Sequence, residues 1–203
     1  MSWSRSATSV VALTALAAFT AAAQGVHPQF GLGGGLLVPV SDYHATADGR
    51  GFNTAWQGLA LLAFKLPGLP VGLRVDATYG ANSANDRLKT ALTTQLGQPT
   101  DEKTKLLGAS LSVTYQLSSA ARVQPYVIGG IGVYHTTISV TTSDSTTVDA
   151  ATKLAGNVGA GLAYELRGVA LFFEARYVNV AAVSGFPRTT VLPFTAGIRF
   201  GGR

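Results

Sequence analysis

The sequence predicts an all-β protein, an eight-stranded antiparallel up-and-down transmembrane β-barrel. Three observations carry that expectation. Apolar residues alternate with small or polar ones, as where Leu192, Phe194, Ala196, Ile198 and Phe200 oppose Val191, Pro193, Thr195, Gly197 and Arg199. Such alternation sets one face on lipid and the other on a lumen. Composition is the second: 24 of 203 residues are Gly, 12% are charged and mean hydropathy is +0.27. A soluble domain carries about twice that charged fraction. Beyond the N-terminal leader no segment approaches the roughly 18 unbroken apolar residues of a membrane helix. Third, the connections between candidate strands alternate short and long, as in barrels with tight turns at one end and larger loops at the other.

The N-terminus reads as an export signal. Arg5 supplies a charged start, Val10 to Phe19 an apolar run, and Ala21-Ala22-Ala23 a small-residue cleavage site before Gln24. The expected division is a signal peptide over 1–23 and a barrel domain over 24–203.

Eight strands follow, over Gln29–Val40, Asn53–Lys65, Val71–Gly80, Thr104–Leu117, Arg122–Ser139, Thr152–Glu165, Val169–Val180 and Thr189–Phe200. Period-two runs of Val, Leu, Tyr, Phe and Thr bounded by turn residues define them. Strand 3 sets Val71, Leu73, Val75, Ala77 and Tyr79 against Gly72, Arg74, Asp76 and Thr78. Strand 4 sets Leu107, Ala109, Leu111, Val113 and Tyr115 against Gly108, Ser110, Ser112 and Thr114. Strand 6 opposes Leu154, Val158, Ala160, Leu162 and Tyr164 to Lys153, Asn157, Gly159, Gly161 and Glu165; strand 7 opposes Val169, Leu171, Phe173, Ala175 and Tyr177 to Phe172, Glu174 and Arg176. Strands 2 and 5 are apolar on both faces, so their register stays open.

Short turns are expected at Leu66–Pro70, Ser118–Ala121 and Leu166–Gly168, and long loops over 41–52, 81–103, 140–151 and 181–188. Aromatics near strand ends (Phe30, Trp56, Phe64, Tyr79, Tyr115, Tyr126, Tyr134, Tyr164, Tyr177 and Phe200) suit two lipid–water interfaces.

The chain has no Cys, and a closed barrel has no free edge that needs covalent help. Its formal net charge of +5 is scattered, which excludes a nucleic-acid surface. The inward polar set is Arg74, Asp76, Lys153, Asn157, Glu165, Glu174, Arg176 and Arg199. Eight strands leave an interior about wide enough for side chains to fill, so mixed charge there reads as a compensated plug network. A conduction path lined by the same residues is the alternative, and a soluble ligand-binding barrel is a second.

Catalysis has weak support. His27, His44 and His135 are scattered; Ser139, Ser143 and Asp144 follow His135 in a loop rich in Ser and Thr. A lipid-modifying Ser–His enzyme is therefore an unfavoured alternative. No His, Asp or Glu set has metal-ligand spacing. Gly33-Gly34-Gly35 lies inside a strand with no helix or Lys after it, so it is no phosphate loop. No cofactor and no metal are expected.

The leader, the run Phe30-Gly-Leu-Gly-Gly-Gly-Leu-Leu-Val-Pro, Pro125-Tyr126-Val-Ile-Gly129-Gly130-Ile-Gly132, and the closing Thr195-Ala-Gly-Ile-Arg-Phe200 resemble the small outer-membrane β-barrel family. That eight-stranded group includes the membrane domain of outer membrane protein A, outer membrane protein X and the opacity-type adhesins. The resemblance covers nearly all of the chain after the leader, and its motifs are Gly and aromatic patterns. It implies the bacterial outer membrane as location and outer-membrane lipid and the barrel-insertion machinery as partners. It also implies that Leu192, Phe194, Ala196, Ile198 and Phe200 form the C-terminal assembly signal. Gly201-Gly202-Arg203 departs from the family, whose last strand ends on the aromatic. A structural or surface-interaction role is the function expected, with an unknown surface ligand met through the four long loops. The loop over 81–103 is the longest and carries mixed charge (Asp86, Arg87, Lys89, Asp101, Glu102, Lys103).

Overall fold

Period-two alternation becomes eight strands: β1 (Pro28–Pro39), β2 (Ala55–Lys65), β3 (Val71–Ser83), β4 (Asp101–Gln116), β5 (Val123–Thr141), β6 (Thr146–Glu165), β7 (Val169–Val180) and β8 (Thr189–Gly201). The structure is a computed structural model that describes residues 28–118, 122–183 and 185–201. The leader over 1–23, its junction at Gln24, His27 and the last two residues lie outside the described residues. Each strand pairs antiparallel with the next, and β1 also pairs with β8, so the sheet closes. The seam runs from Gln29 opposite Gly201 to Pro39 opposite Val191. Closure removes the free edges that would template aggregation. The β7–β8 ladder skips from Ala175 opposite Phe194 to Val178 opposite Val191. The gap falls at Pro193, which has no N–H to donate.

Alternation then sorts the side chains. The outward face exposes Leu32, Leu111, Ile131, Leu154, Val158, Phe173 and Phe194 around the wall. It needs an apolar surround, because a soluble monomer rarely exposes a contiguous apolar patch of more than a few hundred Å². Phe30, Phe64, Tyr115, Tyr164 and Phe200 face outward toward the short-turn end; Trp56, Tyr79 and Tyr177 do so toward the other. Tyr126 and Tyr134 do not join these belts. Both are buried in the lumen, a correction to their expected interfacial place. The open register of β2 and β5 is settled with them. Gln57, Leu59, Leu61 and Ala63 point inward on β2, and Tyr126, Ile128, Tyr134 and Thr136 on β5.

The wall glycines make room for these rings. A Cβ on Gly108 would run into the Tyr134 ring, and one on Gly197 would stand 2.6 Å from that of Phe172. Gly at such positions lets a large side chain lie flat against the opposite backbone.

The turns at Leu66–Pro70 and Leu166–Gly168 lie at one end and the longer connections at the other, as expected, with two corrections at the long-loop end; residues 119–121 of the expected turn at Ser118–Ala121 lie outside the described residues. The segment 140–151 is not a long loop. β5 and β6 continue through it, and a tight turn closed by Thr142 N–H donating to Ser145 O (2.8 Å) joins them. The β-branched run of Thr, Ile and Val there favours extended chain. At 19 and 20 residues these strands far exceed the roughly 9–11 that cross a bilayer, so the hairpin stands beyond the apolar belt. The segment 81–103 is not a plain loop either. It carries a helix, α1 (Asp86–Leu96), between the extended ends of β3 and β4. Asn85 caps its start by accepting from Leu88 N–H at 2.9 Å, and Gly97 ends it at φ 72°.

Candidate functional site

Two features hold the chemistry of this barrel: a charged lumen and a knitted loop cluster above it. The lumen begins with two short sequence patterns, Arg74-Val-Asp76 on β3 and Glu174-Ala-Arg176 on β7. A spacing of two puts both members of each pair on one face. β3 and β7 lie four strands apart in a ring of eight, so they face each other across the barrel. Both are odd-numbered and run the same way. Arg74 therefore meets Glu174 at one height, and Asp76 meets Arg176 at the next.

The contacts form a closed square. Arg74 Nη1 donates to Glu174 Oε2 at 2.7 Å, and Arg176 Nη1 to Asp76 Oδ2 at 2.8 Å. Along the strands Arg74 Nε donates to Asp76 Oδ1 (2.6 Å) and Arg176 Nε to Glu174 Oε1 (2.5 Å). Tyr126 Oη donates a further bond to Glu174 Oε2 at 2.7 Å. The four residues are 1–6% exposed. Two cations and two anions sum to zero, which is the condition for burying charge at all.

The other four residues of the inward polar set stand apart from this square. Asn157 accepts from Ser112 Oγ at 3.4 Å. Lys153 is buried nearer the long loops, where its Nζ donates to Pro187 O at 2.8 Å and lies 5.7 Å from the Phe186 ring centroid. Glu165 sits at the short-turn mouth, 3.4 Å from Lys65 Nζ. Arg199 points inward between Tyr126 and Phe172, 6.0 Å from each ring centroid, with no described carboxylate within 4.0 Å. Sequence alternation placed all eight inward but could not rank their heights.

Apolar layers close the lumen on both sides of the square. Toward the long loops, Leu37, Leu106, Tyr134, Val178, Val180 and Val191 pack with Tyr43 and Phe52 from the β1–β2 loop. Tyr43 stacks on Phe52 at 4.7 Å, and burial raises its phenol well above the usual range. Toward the short turns, Phe172 packs with Leu59, Leu61 and Ala63. Cavities of about 30 Å³ beside Glu174 and Arg176 and about 50 Å³ near Gln29 and Arg199 lie inside the barrel.

Above the mouth, the β1–β2 loop and α1 are tied together. Asn85 N–H donates to Gly51 O at 2.8 Å and Asn85 Nδ2 to Gly49 O at 2.9 Å. Arg50 pairs with Asp48 and, with Thr46, holds that carboxyl far below its usual range. On α1 and β4, Lys89 bridges Asp101 at 3.1 Å. The plug residues Tyr43 and Phe52 were missed from sequence because they lie in a segment read as loop.

Among the described residues His135 does not assemble with the Ser residues that follow it. His135 points outward, and its Nδ1 lies 3.1 Å from Thr152 Oγ1 rather than near Ser139. Among the described residues no group of three His, Cys, Asp or Glu could hold a metal ion. The C-terminal residues Phe194, Ala196, Ile198 and Phe200 all project from the outward face of β8, with Leu192 half-buried on the same side.

Fold and lumen together define a small, closed, membrane-type barrel with a filled interior. The outer membrane protein beta-barrel domain family matches residues 9–200, and the chain belongs to that family. No curated protein sequence matches significantly. Solved structures share the fold at low identity. A major outer membrane protein from Thermus thermophilus is 13% identical with a TM-score of 0.65, covering 87% of this chain and 99% of that one. Neisserial surface protein A is 18% identical with a TM-score of 0.53, covering 87% and 96%. The attachment invasion locus protein of Yersinia pestis is 11% identical with a TM-score of 0.54, covering 86% and 99%.

Proposed function

We propose that this outer-membrane barrel is non-conducting and non-enzymatic, and that it serves as a rigid platform presenting its long-loop end for surface contacts. The observation that carries the reading is the neutral Arg74–Asp76–Arg176–Glu174 square spanning the lumen, with apolar layers above and below. A continuous water path would have to break two ion pairs across the barrel. Function in such folds resides in loops on a rigid scaffold. The α1 segment, the β1–β2 loop and the β5–β6 hairpin are the surfaces offered to a ligand, and the long connection after β7 is a further candidate. The barrel is exported by the leader over 1–23, which is then removed. Leu192, Phe194, Ala196, Ile198 and Phe200 are the strand read by the insertion machinery, and the short turns face the periplasm.

Planar-bilayer recording of the refolded protein tests the reading. Little or no stable conductance is expected. Large, long-lived steps in the wild type would overturn it in favour of a pore. Mass spectrometry of membrane-purified protein checks the export step, with a mature terminus at Gln24 expected and an intact Met1 contradicting it.

A further inference from the structure

We propose that the short-turn rim binds the headgroup phosphate of an anionic phospholipid, with Arg122 and Arg167 as the ligating residues. The inference rests on the barrel crossing a bilayer, as read above, and adds a specific lipid site to it.

The two ends of the barrel differ in how their charges are matched. At the long-loop end Arg50, Arg87, Lys89, Lys103, Lys105 and Arg188 mingle with a similar number of acids. Several are paired there, Asp48 with Arg50 and Asp101 with both Lys89 and Lys103. Among the described residues the short-turn rim carries Lys65, Arg122 and Arg167 against Glu165. Glu165 lies on the inward face of β6 and is bonded to Lys65 at 3.4 Å. Arg122 and Arg167 are exposed, and no described carboxylate lies within 4.0 Å of either.

Backbone geometry brings these two arginines to one place. Arg122 O accepts from Glu165 N–H at 2.9 Å, which fixes Arg122 beside the end of β6. The next turn closes with Leu166 N–H donating to Val169 O at 2.8 Å and Gly168 at φ 83°, leaving Arg167 at its tip. Around them Leu117, Val123 and Leu166 are exposed, and Tyr164 faces outward one residue before Glu165. Arg122 and Arg167 thus lie where the exposed apolar wall ends, the level at which lipid headgroups would meet it. A guanidinium matches two phosphate oxygens at once, and long basic side chains reach such a layer while their stems stay apolar. The exposed Leu and Val residues select a phosphate that carries acyl chains over a free one. Each cation near an anionic lipid surface is worth about fivefold in affinity, so the pair gives about thirtyfold.

The test is native mass spectrometry of the detergent-held barrel, offered phosphatidylglycerol and phosphatidylcholine of the same chain length in equal amounts. The wild type is expected to retain phosphatidylglycerol by about thirtyfold. The double variant Arg122→Gln/Arg167→Gln should lose that preference, while Arg50→Gln/Arg87→Gln at the other end should keep it. Equal retention of the two lipids by the wild type, or equal loss in both double variants, would overturn the proposal. Displacement of phosphatidylglycerol by inorganic phosphate would overturn the lipid assignment. Heat-modifiable gel mobility of every variant separates loss of the site from loss of the barrel.

Discussion

The two faces of one wall follow different rules. Outward, β6 and β8 carry Leu154, Val158, Leu162, Phe194 and Ile198, and these residues touch nothing that demands a particular shape. Lipid tails are as apolar as Leu, so one apolar residue there substitutes for another. Inward, the same strands carry Asn157, Gly161, Thr195, Gly197 and Arg199, each fitted to a named neighbour. Thr195 Oγ1 accepts from Gln57 Nε2 at 2.6 Å, and Gly197 makes room for Phe172. The outer face is thus specified by pattern and the inner face by pairwise geometry. A substitution should therefore be costly or harmless according to the direction its side chain points.

Neutralising one corner of the square should show the largest effect. Glu174→Gln leaves Arg74 and Arg176 sharing Asp76, and breaking a buried pair costs about 3–5 kcal/mol. Urea unfolding in vesicles should show that loss.

Charge on the outer face is the next largest. Phe194→Arg should cost about 2–4 kcal/mol at the bilayer midplane, whereas Phe194→Leu should cost under about 1 kcal/mol. Equal tolerance would mean that this face does not meet lipid. Thr195→Arg should be costly too, for a different reason: Thr195 is buried and bonded in a filled lumen.

Glycines sharpen the same comparison at smaller scale. Gly108→Ala drives a methyl into the Tyr134 ring and should cost about 1–3 kcal/mol, with Tyr134→Leu restoring part of it. Gly58 faces outward with nothing within 4 Å of an added Cβ, so Gly58→Ala should fall within about 0.5 kcal/mol of the wild type.

How much of this was legible follows from the same distinction. Alternation revealed the strand count, the closed topology and the inward side of Arg74, Asp76, Glu174 and Arg176. It could not say that these four meet while Lys153, Glu165 and Arg199 do not. Height in a tilted barrel depends on register, and register is set by pairings far apart in sequence. Tyr126 and Tyr134 were misplaced because β5 is apolar on both faces and gives no period to read. The helix α1 carried its own signal, Asn85 at the cap and Gly97 past the end, but eleven polar-rich residues between two strands resemble a loop in composition. Ser, Thr and Asp in 140–151 suggest a loop, while the β-branched residues there continue the β5–β6 ladder.

A double-mutant cycle between Arg74 and Glu174, residues a hundred apart in sequence and facing each other across the lumen, tests the square most directly. Arg74→Met and Glu174→Gln are made singly and together, and unfolding free energies are compared in vesicles. The square predicts that the double variant costs less than the two singles summed, by about 1–3 kcal/mol, because the remaining Asp76–Arg176 pair is neutral again. Additivity within about 0.5 kcal/mol would contradict it, and with it the claim that paired charge holds this lumen shut.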